Sequence, residues 1–150
     1  MSKTKVIRKL IERTKDDFVS YFTSGPSLER AGTIVNWAIT GDPRLASCKD
    51  EVESMLPDTN QDGRWESSYA LNTGLLIVCL IQYEDTHHDK VYSEAVTLFF
   101  DSVDFKVQQS LEAQGINHPS ESQIQSHALY AAQRQWFKEL KAAEMPNQAL

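Results

Sequence analysis

Residues 58–63 read DTNQDG, which is how a calcium-binding loop of the helix–loop–helix kind begins. Such a loop continues to a bidentate Glu at its twelfth position. Counted from Asp58, the ninth position is Glu66 and the twelfth is Tyr69, whose phenol cannot supply two carboxylate oxygens. Without that ligand the stretch reads as a turn, in which Asp58, Asn60 and Asp62 accept backbone hydrogen bonds and Gly63 takes a positive φ. A second group, EDTHHD (84–89), sets Glu84, Asp85, His87, His88 and Asp89 side by side. These are metal-ligand types, but adjacent residues on a turn point in different directions, and the H-E-x-x-H and E-x-x-H spacings of one helical face are absent. Asp89 is read instead as the N-cap of the helix that follows. Asp101 and Asp104, one helical turn apart, are the spacing for paired acid–base carboxylates, yet no oxyanion donor or nucleophile accompanies them. Cys79 sits in the most apolar part of the chain, where a thiol's pKa rises and its reactivity falls. No G-x-S-x-G, C-x-x-C or phosphate-cradling glycine loop occurs. The expectation is a protein that is not an enzyme and carries no metal or cofactor.

The elements that must hold these residues are helical. Ile7, Leu10, Ile11, Phe18 and Phe22 recur at helical spacing in a first helix from about Lys3 to Thr23, within an N-terminal unit of residues 1–26. Ser27 is expected to cap a second helix, which Gly41 closes, and Asp42-Pro43 to start a third that ends at Pro57. A fourth runs from about Trp65 to Tyr83 and is apolar almost all round, which marks the middle of a core. Gly74 within it points to a close neighbour. A fifth runs from about Asp89 to Ala113 with Gly115 as its stop. Ser120 and Gln123 form a capping box for a sixth, which carries His127 near its apolar face and ends near Ala143. Residues 144–150 read as a frayed tail. The prediction is an all-α, single-domain bundle of about six helices.

The chain has 150 residues, 41% hydrophobic and 24% charged, which suits one globular domain. Its two cysteines, Cys48 and Cys79, read as buried free thiols in a reducing cytoplasm. The longest apolar run, GLLIVCLI, is too short to span a bilayer. Charge is uneven: residues 42–66 carry seven acidic and three basic side chains, and residues 84–104 carry six acidic and one basic. Phosphate repels such stretches, so nucleic acid is not the expected ligand, whereas a basic protein is drawn to them.

Four segments resemble a known group. They are Trp37 near a helix end, KDEVESMLPDTNQDGRWESSYALNTGLLIVCLI (49–81), YSEAVTLFFDSVDFKVQQ (92–109) and HPSESQIQSHALYAAQRQWFKEL (118–140). Together they are similar in pattern to the YjaG-like family of small helical bacterial proteins, which includes immunity proteins of polymorphic-toxin and contact-dependent inhibition systems. The resemblance implies a protein made beside a toxin, which binds the toxin's C-terminal catalytic domain in the cytoplasm and blocks its active site. Many of those toxins are nucleases with basic grooves, for which surface carboxylates would imitate phosphate. The resemblance supplies no functional motif, so charge and exposure choose the expected contact set: Asp58, Asp62, Trp65, Glu66, Glu84, Asp85, Asp89 and Glu94. The expected partner is a basic toxin domain, with no direct nucleic acid and no membrane; a homodimer stays open. Two other readings stay open as well. One is a metal-dependent hydrolase using EDTHHD with Asp58 and Asp62, the other a homodimeric helical scaffold or regulator.

Overall fold

The computed structural model describes residues 2–23 and 25–146. These form seven α-helices and one 3-10 helix, and among the described residues there is no strand. In chain order they are α1 (Ser2–Val19), α2 (Gly25–Thr40), the 3-10 helix (Pro43–Ser47), α3 (Lys49–Met55), α4 (Trp65–Thr86), α5 (Asp89–Ala113), α6 (Glu121–Ser126) and α7 (Ala128–Glu144). The all-α bundle expected from the periodicity is what forms.

Helix α4 is the axis of the bundle. Thirteen of its residues are buried, distributed around its whole circumference, and it packs against α1, α3 and α5. Helix α1 runs antiparallel to it, since Arg8 Nη2 meets Glu84 Oε1 at 2.9 Å near one end and the Thr73 hydroxyl donates to the Thr14 carbonyl at 3.3 Å further along. Helix α5 forms an antiparallel hairpin with α4. The Tyr69 hydroxyl donates to Gln109 at 2.6 Å, Asn72 donates to the Ser102 hydroxyl at 3.1 Å, and the Tyr83 and Tyr92 rings meet at the turn. Phe18, Ile7, Leu10 and Ile11 of α1, Leu76, Ile77 and Leu80 of α4, and Phe99 of α5 are fully buried together. Helix α7 closes the side away from α3. Trp136 lies against Phe99 with ring centroids 5.5 Å apart, and the Arg13 guanidinium sits 4.3 Å over the Trp136 ring. None of the described helices is long and apolar enough to cross a membrane.

Several boundaries depart from expectation for local reasons. Helix α1 stops at Val19, and α2 begins at Gly25, so Ser27 lies in the first turn of α2 and is not its cap. The single third helix is two pieces. Asp42 accepts from the Arg44 backbone N–H at 2.9 Å and starts a 3-10 helix, and Cys48 at φ −100°, ψ 5° breaks the ladder before α3. The sixth helix is also two. The Ser120–Gln123 capping box forms, but His127 turns extended at ψ 140° and caps α7 by accepting from the Leu129 N–H at 3.1 Å. Helix α4 continues to Thr86, where His87 closes it in the left-handed conformation. His88, not Asp89, occupies the N-cap of α5. Met145, expected in the frayed tail, is buried against the core, and the rest of that tail from residue 147 lies outside the described residues.

Candidate functional site

The loop from Pro57 to Arg64 is built by two aspartates turning back on their own backbone. Asp58 Oδ1 accepts from the Asn60 N–H at 3.0 Å, and the Asp58 carbonyl accepts from the Asp62 N–H at 2.9 Å. Asp62 repeats the device, accepting from the Arg64 N–H at 3.1 Å and holding the Arg64 guanidinium at 2.9 and 2.8 Å. The Tyr21 hydroxyl adds a bond to Asp62 at 3.1 Å. Hydrogen bonds from the Arg64 side chain and then its backbone hold the Asp62 carboxyl well below the usual carboxylate range. The turn reading of DTNQDG holds, with one correction. Gly63 is not among the positive-φ glycines, which are Gly25, Gly41 and Gly115, because the two aspartate turns reverse the chain without a left-handed residue.

At the far end of α4 the EDTHHD group is spread out. Glu84 pairs with Arg8, and Asp89 pairs with Lys3 at 2.6 Å. His87 takes φ 56° and lies edge-on to Tyr83, while His88 is extended. Among the described residues no three His, Cys, Asp or Glu side chains converge where they could hold a metal ion. Nor can Asp58 and Asp62 join this group. Eighteen residues of α4 separate Glu66 from Glu84, which at 1.5 Å per residue is about 27 Å. The eight expected contact residues therefore form two sets. Asp58, Asp62, Trp65 and Glu66 stand at the start of α4, and Glu84, Asp85, Asp89 and Glu94 around its end.

Around the second set and along α4 from Leu75 runs a feature the charge pattern alone did not single out. Two clefts, of about 580 and about 930 Å³, share Gln82, Lys90 and Glu94 and so form one furrow along the α4–α5 seam. In the smaller cleft the floor is apolar, from Leu75 and Val78 of α4 and Leu98 of α5, with Glu53 of α3 on one bank and Glu94 of α5 on the other. The larger cleft is more polar and adds Glu84 and Asp85 near the end of α4. The furrow lies beside α3: Ala46 of the 3-10 helix and Lys49 and Glu53 of α3 line one side of it, α4 residues between Leu75 and Thr86 its floor, and α5 residues between Lys90 and Leu98 the other side. Glu94, Leu98, Asp101 and Phe105 recur at i, i+4, i+7 and i+11, so they share one face of α5. Phe105 packs on the half-buried Trp65, ring centroids 6.0 Å apart, which brings the seam up to the first acidic set.

Electrostatically the furrow is unfinished. Among the described residues no ion pair engages Glu53, Asp85 or Glu94 of the furrow, nor Glu66 and Asp101, which stand outside its lining, whereas Asp62, Glu84 and Asp89 are each neutralised by a cation of this chain. Burial, and then the nearby Asp104, raise the Asp101 carboxyl above its ordinary range. Lys49 and Lys90 are the furrow's own cations, against the carboxylates of Glu53, Glu84, Asp85 and Glu94. Cys79 lies on the floor with its thiol pushed up to about 11 by burial and then by Glu94, which leaves it protonated and unreactive near neutrality. Glu53, Leu75, Val78 and Leu98 were absent from the expected set. The available signal was the apolar circumference of α4, which includes Leu75 and Val78.

No known protein family, curated protein or solved structure is matched by this chain.

Proposed function

We propose that this protein is an immunity-type inhibitor, a helical binding protein without catalytic chemistry of its own. In this reading it neutralises a cognate bacterial toxin domain, a basic nuclease in the first instance, by covering its active site. One observation carries the proposal: carboxylates without a cation partner line an apolar furrow on the bundle surface. Apolar floor with a charged rim is the composition of a protein interface whose core excludes water. Carboxylates left without a cation partner would accelerate the approach of a positive cleft by roughly ten- to a thousandfold. The contact set that follows keeps Asp85 and Glu94 of the sequence reading and adds Glu53, with Glu66 and Asp101 flanking it along the α4–α5 seam. Asp62, Glu84 and Asp89 become secondary, since each already serves an internal ion pair. Asp58 flanks the set and Trp65 forms its aromatic end.

The experiment is co-purification with the C-terminal domain encoded by the neighbouring open reading frame, followed by a toxicity assay in cells making both. Expected is a stable complex and rescue of growth, with association slowing as salt rises. A neighbouring product that neither binds nor harms cells would overturn the proposal.

A further inference from the structure

The furrow also has a shape, and its walls say what can occupy it. An extended segment laid over Leu75, Val78 and Leu98 would need a partner for each backbone N–H and C=O, because unpaired backbone groups away from water are costly. The banks are helices, whose backbone groups are already used internally, and among the described residues there is no strand edge to pair with. A helix satisfies its own backbone. The slot has the character of a missing bundle position, with α4 beneath, α5 on one side and the short α3 on the other.

The charge register suits a helix as well. Glu94 and Asp101 lie seven residues apart on one face of α5 with Leu98 between them, a span of about 10.5 Å. Two cations seven residues apart on an occupying helix have the same spacing, with an apolar residue between them to rest on Leu98. Glu53 meets the opposite flank of such a helix from α3.

From this juxtaposition we infer that the furrow is a docking groove for one amphipathic α-helix of the partner protein, apolar along i, i+4 and i+7, with Lys or Arg flanking that stripe. The inference rests on the reading above that the unpaired carboxylates receive a basic protein. It adds which part of that protein enters, and in what conformation.

The test uses the full chain and two synthetic peptides of identical Leu, Lys and Ala content, each about 18 residues, or roughly 27 Å when helical. One has its leucines at helical spacing, the other at strand alternation. Amide chemical shifts of the protein are followed during titration. The helical-pattern peptide is expected to bind at least about tenfold more tightly than its isomer and to shift residues around Leu75, Val78 and Leu98. The exposed double variant Glu94→Lys/Asp101→Lys, checked for an unchanged melting temperature, is expected to weaken it by a further tenfold or more. Equal binding of the two peptides, shifts centred elsewhere, indifference to the double variant, or no binding up to about 1 mM would each overturn the inference. A neighbouring toxin domain that binds while the peptides do not would sink the helical occupant and leave the proposed function standing. Peptides that bind in the furrow while no neighbouring toxin does would have the reverse effect.

Discussion

Gly74 is where the fold makes its tightest demand, and Gly74→Ala can be worked through in numbers. A Cβ built there lies 2.4 Å from Leu56 Cδ2 and 3.2 Å from Phe18 Cε1, against about 3.5–4.0 Å for relaxed carbon contacts. Leu56 must retreat by more than an ångström. Phe18 is fully buried and has nowhere to go, whereas Leu56 is a half-buried side chain at the C-cap of α3. Two effects compete. Alanine in mid-helix gains about 1 kcal/mol over glycine, and overpacking costs about 1–3 kcal/mol, so the net expectation is a loss of about 1 kcal/mol. In a chain of this size that lowers the melting temperature by about 2–4 °C. The decisive measurement is a double-mutant cycle with Leu56→Ala, read by urea denaturation under circular dichroism. Leu56→Ala removes the 2.4 Å encounter, so in that background Gly74→Ala is expected to be neutral or stabilising, with a coupling of about 1 kcal/mol or more. If Gly74→Ala proves equally stabilising in both backgrounds, with coupling within about 0.5 kcal/mol, then α3 is not held against α4 at this point. The account of α3 as one wall of the furrow would fall with it.

His87 ends α4 at φ 56°, so His87→Gly is expected to raise stability by up to about 1 kcal/mol, measured by thermal melting; a loss would mean that its contact with Tyr83 outweighs the strain. Asp42 is held down to about 2, first by hydrogen bonds from the Arg44 side chain and then by the Arg44 backbone N–H. A depressed carboxyl contributes stability that is present above the unfolded value near 3.8 and is lost as pH falls from there through about 2. Relative to Asp42→Asn, the wild-type chain is therefore expected to be more stable at pH 6 and to lose that advantage by about pH 2; a pH-independent difference refutes the assignment. Both cysteines are buried and free, and alkylation at pH 8 is expected to be slow in the native protein and rapid in urea. Fast native labelling of Cys79 would show that its thiol is exposed at the furrow floor or its thiolate stabilised.

What the sequence determined by itself is whatever a few consecutive residues can settle. The capping box at Ser120 and Gln123 forms, Gly41 and Gly115 end their helices at positive φ, and DTNQDG folds as aspartate turns, because each depends on partners within a few positions. The apolar circumference of α4 placed it at the centre for the same reason. The helix starts expected from Ser27 and Asp89 miss by three residues and one, and Gly63 misses only in the sign of its φ; at Gly63 the aspartate side chains' local hydrogen bonds decide. Tertiary structure alone decided which carboxylates are left for a partner. Arg8 and Glu84 are 76 positions apart and Lys3 and Asp89 are 86 apart, so no local pattern announces that these acids are already neutralised. The furrow is likewise a relation among helices. It opens where α3 and α5 flank the same stretch of α4, residues 75–86. Periodicity reports which face of a helix is apolar, but how much of that face a neighbour covers depends on the lengths and docking of elements distant in the chain.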